Sequence, residues 1–188
     1  MLKRFAKRVL FGRPLRNIFG GIHAYLERCD KENRDASMRR RYQIHPSVWW
    51  ASGTIFLGDG EIRIGENTYF GHDCHVSSHP GQARIVIGTH CAIAHGIQVR
   101  TTNYARVPDF RDAYAMPSEW ASITIGDYVW IGSHAYINAG VTIGSNVIIG
   151  ANSVVTKDVP DDVVVGGVPA RIITHKSAYA RPRGEPAP

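Results

Sequence analysis

Residues 125–160 read IGDYVW IGSHAY INAGVT IGSNVI IGANSV VTKDVP, and a β-branched residue opens each of these hexapeptides. A period of six residues fits neither an α-helix nor a simple alternating strand, whereas short fixed repeats are typical of solenoids. If three hexapeptides form one triangular coil, the opening residue points inward at each face, and the small residue that often follows it turns the corner. Stacked coils then pair as parallel strands. The fold class predicted from this stretch is mainly β, a left-handed parallel β-helix.

The same period continues upstream to about residue 55, although it is interrupted twice. Rows begin at Ile64, Ile87 and Ile125, so their starts are 23 and 38 residues apart instead of the 18 of an unbroken coil. The differences predict an insertion of about five residues near 81–84 and one of about twenty near 105–122. A loop as long as the second one is usually functional when it occurs inside a compact repeat.

Three parts are predicted along the chain. Residues 1–45 form a basic, mostly helical arm or cap, residues 46–175 form the β-helix with its extruded loop at about 105–122, and residues 176–188 form a disordered tail. The net charge of +6 is concentrated in residues 1–42, which hold twelve Lys and Arg against four Asp and Glu. The remainder holds ten against twelve, so the basic character belongs to the arm.

The arm has two interpretations. Apolar residues recur at helical spacing in residues 1–12, Pro14 and Gly20-Gly21 interrupt that pattern, and a second helical stretch is predicted over 22–41. The arm either lies on an anionic membrane surface or packs as a cap on the open end of the β-helix. It lacks a recognisable nucleic-acid-binding motif, so no nucleic-acid partner is expected. No apolar run approaches the ~18 residues that span a bilayer, and no secretory signal is evident. We expect a cytoplasmic protein, with the inner face of the membrane as an additional location.

Three motifs within residues 123–173, VWIG, GANSVVTKDVP and GVPARII, give the chain a specific likeness. This stretch resembles the C-terminal half of the hexapeptide-repeat acyltransferases, such as the galactoside, maltose and serine O-acetyltransferases. The resemblance is dense here, looser back to about residue 55, and does not cover residues 1–45. It implies a homotrimer with active sites between neighbouring subunits, acetyl-coenzyme A as co-substrate, and no metal.

The resemblance also implies roles for individual residues. Ser133 and Ala151 line the pantetheine channel through backbone groups. The outer part of the cofactor meets Thr156 and Lys157, while Arg171 lies near its phosphates, where positive charge makes chemical sense. The residues assigned to the acceptor side are Asn103, Tyr104 and Trp130.

One feature departs from the family pattern. Galactoside and maltose acetyltransferases place a catalytic histidine just before the long loop, where this chain has Tyr104, and residues 101–122 contain no histidine. Tyrosine is a poor general base at neutral pH because its ordinary pKa is about 10.

Coil arithmetic offers a replacement. The third position of the middle hexapeptide in successive coils holds His72, His95, Ser133 and Ala151, which should therefore stack in one column. The segments IGENTYFGHD and GHDC resemble those around the catalytic histidines of serine acetyltransferases and of sialic-acid-type sugar N-acetyltransferases. Imidazole has an ordinary pKa of about 6.5, which suits a general base at neutral pH. His72 is therefore the predicted base, with His95 as the second candidate.

Two alternatives stay open at this stage. The five-residue separation of His90 and His95, with His72 as a third ligand, resembles the zinc site of γ-type carbonic anhydrases, in which three histidines are shared between subunits. Three histidines suit catalytic zinc. The absence of histidine at position 104 would also fit a catalytically inactive trimer. The preferred hypothesis is a coenzyme-A-dependent O-acetyltransferase that acts on a sugar or glycan hydroxyl.

Overall fold

The computed structural model describes residues 13–79, 81, 83–104 and 118–179. Residues 1–12, most of the predicted long loop (105–117) and the tail from 180 onward lie outside these described residues. The chain separates into two compact units, Met1–Arg41 and Tyr42–Pro188.

The described part of the first unit is one long helix, α1 (Arg13–Arg41). The predicted interruption at Gly20-Gly21 is wrong, because the helix continues through both glycines despite their cost of about 1 kcal/mol each. Pro14 lies in the first turn, where its missing N–H group is not needed. Arg39, Arg40 and Arg41 occupy the last turn, where positive charge complements the helix dipole. No helix in the described part of the chain is long and apolar enough to cross a bilayer.

The second unit is a stack of five coils with a hairpin and a terminal pair of strands. The strands are β1 (Gln43–Ile44), β2 (Trp49–Trp50) and β3 (Ile55–Leu57) in coil 1; β4 (Glu61–Ile64), β5 (Tyr69–Phe70) and β6 (His75–Ser77) in coil 2; β7 (Arg84–Ile87), β8 (Ala92–Ile93) and β9 (Gln98–Arg100) in coil 3; β10 (Thr102–Tyr104) and β11 (Ser118–Trp120) in the hairpin; β12 (Ile123–Ile125), β13 (Trp130–Ile131) and β14 (Tyr136–Ile137) in coil 4; β15 (Thr142–Ile143), β16 (Ile148–Ile149) and β17 (Val154–Val155) in coil 5; and β18 (Val163–Gly166) and β19 (Arg171–His175) at the end.

Each coil contributes one strand to each of three sheets, which confirms the predicted left-handed parallel β-helix. Sheet A has the order β1-β4-β7-β12-β15, sheet B has β2-β5-β8-β13-β16-β18-β19, and sheet C has β3-β6-β9-β14-β17. All pairs between coils are parallel and keep the inward residues in register, as with Phe70 and Ile93 or Ile131 and Ile149. The six-residue period of the sequence is thus the length of one face.

The inward residues form a dry core along the axis. Ile93, Ile131 and Ile137 have no exposed surface, and full burial of such a side chain contributes roughly 1.5–3 kcal/mol. Coil 1 begins before residue 55, where the six-residue pattern becomes clear. Its inward residues Trp50 and Phe56, like Phe70 in coil 2, are aromatic and not β-branched. The rings of Trp50 and Phe56 meet edge to face with centroids 5.3 Å apart.

The corners are turned by residues in the left-handed backbone region. At the corner between sheets A and B this residue is Asn67, His90, Tyr128, Asn146 and Asp162 in successive turns of the chain. Asn, Asp and His tolerate a positive φ better than most side chains do, which explains their recurrence.

Two cysteines pack inside the corners. Cys74 and Cys91 are fully buried, and their thiols donate to the carbonyl oxygens of Ala94 and Gly126 in the next coil. Burial raises the pKa of both thiols, so they stay protonated and act as packing groups.

The chain ends in an antiparallel element. Strand β19 turns back along β18, and Lys176–Tyr179 form a short 3-10 helix. The tail predicted to begin at residue 176 therefore starts with ordered structure, and the remainder from 180 onward lies outside the described residues.

Candidate active site

One corner of the β-helix, between sheets B and C, carries a column of five residues. Ser52, His72, His95, Ser133 and Ala151 each lie two residues after an inward residue of sheet B, and the strand registers hold those inward residues side by side. The predicted column of four is therefore present, and coil 1 adds Ser52 to it. The backbones of neighbouring members, which belong to adjacent coils, are roughly 4.8 Å apart.

His72 and His95 are stacked. Their ring centroids are 5.3 Å apart with an interplanar angle of 20°, and both side chains are exposed. A Cβ at Gly71 would lie 2.7 Å from His95 Nδ1, so glycine makes room for the second ring. The corner therefore presents two imidazoles to solvent at one place.

The hydrogen bonds of the two rings differ. The His72 backbone N–H donates to His95 Nδ1 over 2.9 Å, so this nitrogen is an acceptor and a neutral His95 ring carries its proton on Nε2. Ser52 Oγ is 2.9 Å from His72 Nδ1. When His72 donates from Nδ1 to Ser52, its Nε2 is left unprotonated and able to accept a proton. His72 thus fits a base, while His95 fits a donor.

The lower part of the column offers backbone donors. Within the described residues, the N–H groups of Ser133 and Ala151 donate to no acceptor. A Cβ at Gly132 would lie 2.6 Å from the Ala151 nitrogen, so glycine brings the two coils together here. A narrow strip of unpaired N–H groups suits the amide and thioester carbonyls of a pantetheine chain.

Three predicted cofactor residues lie beyond this strip. Thr156 and Lys157 follow β17 and are exposed at the far edge of sheet C. Arg171 opens β19 and is exposed; Ala170, just before it, donates its N–H to Val154 O over 2.8 Å. This contact places the GVPAR turn beside sheet C at the last coil, where cations are available for an anionic ligand.

The remaining predicted residues are not brought to the column within one chain. Asn103 and Tyr104 lie on β10, which leaves the coil at the opposite edge of sheet C and pairs with β11 through Asn103–Glu119. Trp130 projects from the outer face of sheet B and is 52% exposed. Its outward row also holds Trp49 and Tyr69, an aromatic ladder that Ala92 interrupts between Tyr69 and Trp130.

The zinc arrangement is not formed in the described chain. His90 lies at the corner between sheets A and B, where it stacks on Tyr128 with centroids 5.1 Å apart and hydrogen-bonds Asn67. His95 lies at the next corner. Among the residues that the structure describes, no three potential ligands are grouped to hold a metal ion.

A pocket missed by the sequence interpretation lies on the outer face of sheet C. Its volume is about 170 Å³, and its walls are Leu57, His75, Ser77, Gln98 and Arg100. The strand registers place Leu57, Ser77 and Arg100 in one row and His75 beside Gln98 in the next. The pocket therefore opens on the same face that the histidine corner borders.

Ser52 was also missed, although a sequence signal exists for it. The segment WASG at 50–53 has the same order as FGHD at 70–73, namely an inward residue, a small residue, the column position and the left-handed corner residue. The aromatic residue at the inward position hides this repeat.

Comparison with known proteins adds independent information. The family model described as bacterial transferase hexapeptide, six repeats, matches residues 122–157. The chain is 32% identical over 177 residues to the galactoside O-acetyltransferase of Escherichia coli strain K12, covering 92% of this chain and 81% of that protein.

Solved structures give the same result. A hexapeptide-repeat acetyltransferase from Vibrio cholerae, complexed with acetyl coenzyme A, is 34% identical with a TM-score of 0.63, over 77% of each chain. A maltose O-acetyltransferase from Clostridium difficile 630 is 31% identical with a TM-score of 0.65, over 77% of this chain and 75% of that one. The similarity thus extends over most of the length of each relative.

Proposed function

The chain belongs to the hexapeptide-repeat acetyltransferases, and we propose that it transfers the acetyl group of acetyl-coenzyme A to a hydroxyl group of a sugar. The observation that carries the assignment of the site is the column in which His72 and His95 stand in line with the unpaired N–H groups of Ser133 and Ala151. A base and a set of carbonyl-binding donors are the two components that direct acyl transfer requires.

His72 acts as the general base. In the tautomer that donates from Nδ1 to Ser52 Oγ, 2.9 Å away, Nε2 accepts the proton of the acceptor hydroxyl as the oxygen attacks the thioester carbonyl. The carbon–sulfur bond then breaks, and the sulfur takes up the proton from Nε2 as it leaves. The products are an acetate ester and the free thiol of coenzyme A, with no acyl-enzyme in between.

His95 and the backbone strip orient the reacting groups. A neutral His95 with its proton on Nε2 donates a hydrogen bond to the acceptor or to the developing oxyanion. The Ser133 and Ala151 N–H groups hold the pantetheine arm in an extended line along the coils. Lys157 and Arg171 pair with the phosphates at the outer end, and Thr156 adds a hydroxyl donor there.

The active unit is a homotrimer in this proposal. Trp49, Tyr69 and Trp130 form an exposed aromatic ladder on sheet B that Ala92 interrupts, with 56%, 46% and 52% of their surfaces accessible. A neighbouring subunit on this face would bury the ladder and bring its own sheet C against Trp130. Sedimentation equilibrium should then give three times the chain mass, and Trp130→Glu should shift the distribution toward monomer.

The N-terminal arm supports a location at the inner membrane face. Residues 1–42 hold twelve Lys and Arg against four Asp and Glu, and each basic residue near an anionic surface contributes about 1 kcal/mol. Flotation with vesicles that contain anionic lipid measures this, with neutral vesicles as control. A chain that stays in the unbound fraction with both kinds of vesicle removes this part of the proposal.

The activity itself is tested by release of free thiol from acetyl-coenzyme A in the presence of sugars, nucleotide sugars and amino acids. We expect acceptor-dependent thiol release with sugars, and a product that alkaline hydroxylamine cleaves because it is an ester. A hydroxylamine-resistant product would identify an amine acceptor instead. Binding of coenzyme A without turnover of any acceptor would support the inactive trimer.

A further inference from the structure

The pocket on the outer face of sheet C combines one permanent cation with neutral polar groups. We propose, on the basis of the acetyltransferase function above, that this pocket binds the acceptor and selects a sugar that carries a carboxylate or phosphate group. Arg100 is the residue that binds the negatively charged group.

The chemistry of the walls supports an anionic ligand. Among the residues that the structure describes, no carboxylate lines the pocket and none pairs with the Arg100 guanidinium. An exposed guanidinium that has no counter-ion among the described residues is available for bidentate pairing with a carboxylate or phosphate. By contrast, the exposed Arg63 on sheet A is already paired with Glu61.

The shape of the pocket supports a sugar. Ser77 is small and stands between Leu57 and Arg100 in the same row, so the hollow exists because the middle side chain is short. Leu57 is 45% exposed and provides an apolar wall for the C–H groups of a ring. Gln98 and Ser77 provide neutral partners for hydroxyl groups.

The position of the pocket supports the acceptor rather than the cofactor. It lies on coils 1 to 3, whereas Ser133, Ala151, Thr156 and Lys157 lie on coils 4 and 5. His75 lines the pocket only three residues after His72, a stretch of at most about 10 Å of chain. A ligand in the pocket therefore lies beside the proposed base, with the cofactor strip on the following coils.

The test compares three acceptors that share the ring configuration of galactose: methyl galactoside, methyl galacturonoside and galactose 1-phosphate. Hydrogen bonds to charged groups contribute about 1.5–3 kcal/mol, so kcat/KM should favour at least one anionic acceptor by about 10- to 100-fold. The two anionic arms distinguish a carboxylate from a phosphate. In Arg100→Met this preference should fall to within about threefold, because kcat/KM for the anionic acceptors falls more than kcat/KM for the neutral one.

Arg84→Met is the matched control, because Arg84 is an exposed arginine of the same coil on sheet A, away from the pocket. It should keep the preference for the anionic acceptor. Equal kcat/KM for neutral and anionic acceptors, or an equal loss on all three in Arg100→Met, would overturn the acceptor inference and leave acetyl transfer intact.

Calorimetric binding of the three sugars without acetyl-coenzyme A separates this inference from the proposed function. Tighter binding of an anionic sugar that Arg100→Met abolishes supports the pocket even if no acceptor is acetylated. Binding of all three with the same affinity, or of none, contradicts it whether or not turnover is observed.

Discussion

His72→Ala lowers kcat/KM for acetyl transfer by about 10²- to 10⁴-fold, the usual contribution of a positioned general base. The loss is expected in kcat, because the imidazole takes up the hydroxyl proton only as the new bond forms. Coenzyme A binding should be unchanged, since the backbone strip at Ser133 and Ala151 does not involve this side chain. Steady-state kinetics and calorimetric titration of coenzyme A measure the two quantities on the same preparation.

His45→Gln serves as the control for this variant. His45 lies in coil 1 at the corner between sheets A and B, where it hydrogen-bonds Ser47. We expect it to keep full activity. Turnover of every accepted sugar at the wild-type rate by His72→Ala would show that another group is the base.

His95→Gln separates the two imidazoles. An amide can still donate a hydrogen bond but is not a base, and His95 Nδ1 already accepts from the His72 backbone. This variant should therefore lose less activity than His72→Ala. A larger loss of activity in His95→Gln would indicate that His95 is the base and His72 the hydrogen-bond donor.

Phe70→Ala should lower the free energy of unfolding by about 3–5 kcal/mol, the range for truncation of a buried aromatic residue. The Phe70 side chain has no exposed surface and meets Phe56 edge to face, with centroids 5.4 Å apart. Its removal leaves a cavity between coils 1 and 2, directly behind the corner that carries Ser52 and His72. Urea denaturation followed by far-ultraviolet circular dichroism gives the value.

Two further variants make this result interpretable. Phe70→Leu retains much of the volume and should cost clearly less than alanine does. Thr124→Ala, on the exposed outer face of sheet A, should stay within about 0.5 kcal/mol of wild type. A loss below 1 kcal/mol in Phe70→Ala would mean that the first coils relax to fill the space.

The fold was largely predictable because one period governs both sequence and structure. Ile125, Ile131 and Ile137 mark three faces of one coil, and the same spacing predicted that His72 and His95 share a corner with Ser133. The differences between prediction and structure are confined to short stretches of the chain. The predicted β-helix begins at residue 46, but its repeat is recognised only from about residue 55, because Trp50 and Phe56 replace β-branched residues in coil 1. Gly20-Gly21 do not interrupt the helix.

The site was less predictable because it depends on side-chain geometry and on hydrogen bonds across coils. The contact of Ser52 with His72 joins residues 20 apart and follows no motif. The pocket exists because Ser77 is shorter than the residues above and below it, a relation between three coils. The family roles of Ser133, Ala151, Thr156, Lys157 and Arg171 stay predictions.

The hairpin of β10 and β11 has a consequence for how such a protein can evolve. The hairpin leaves the stack after Thr101 and returns at Ala121, whose N–H donates to Thr101 O over 3.0 Å, while Gln98 still pairs with Tyr136 across the gap. The two coils on either side thus contact each other as if no residues intervened. Because the entropy of loop closure rises only slowly with length, a segment attached here can be lengthened, shortened or exchanged at little thermodynamic expense. The position is a natural grafting point, at which new acceptor preferences can arise by recombination while the coils that carry the chemistry are inherited unaltered.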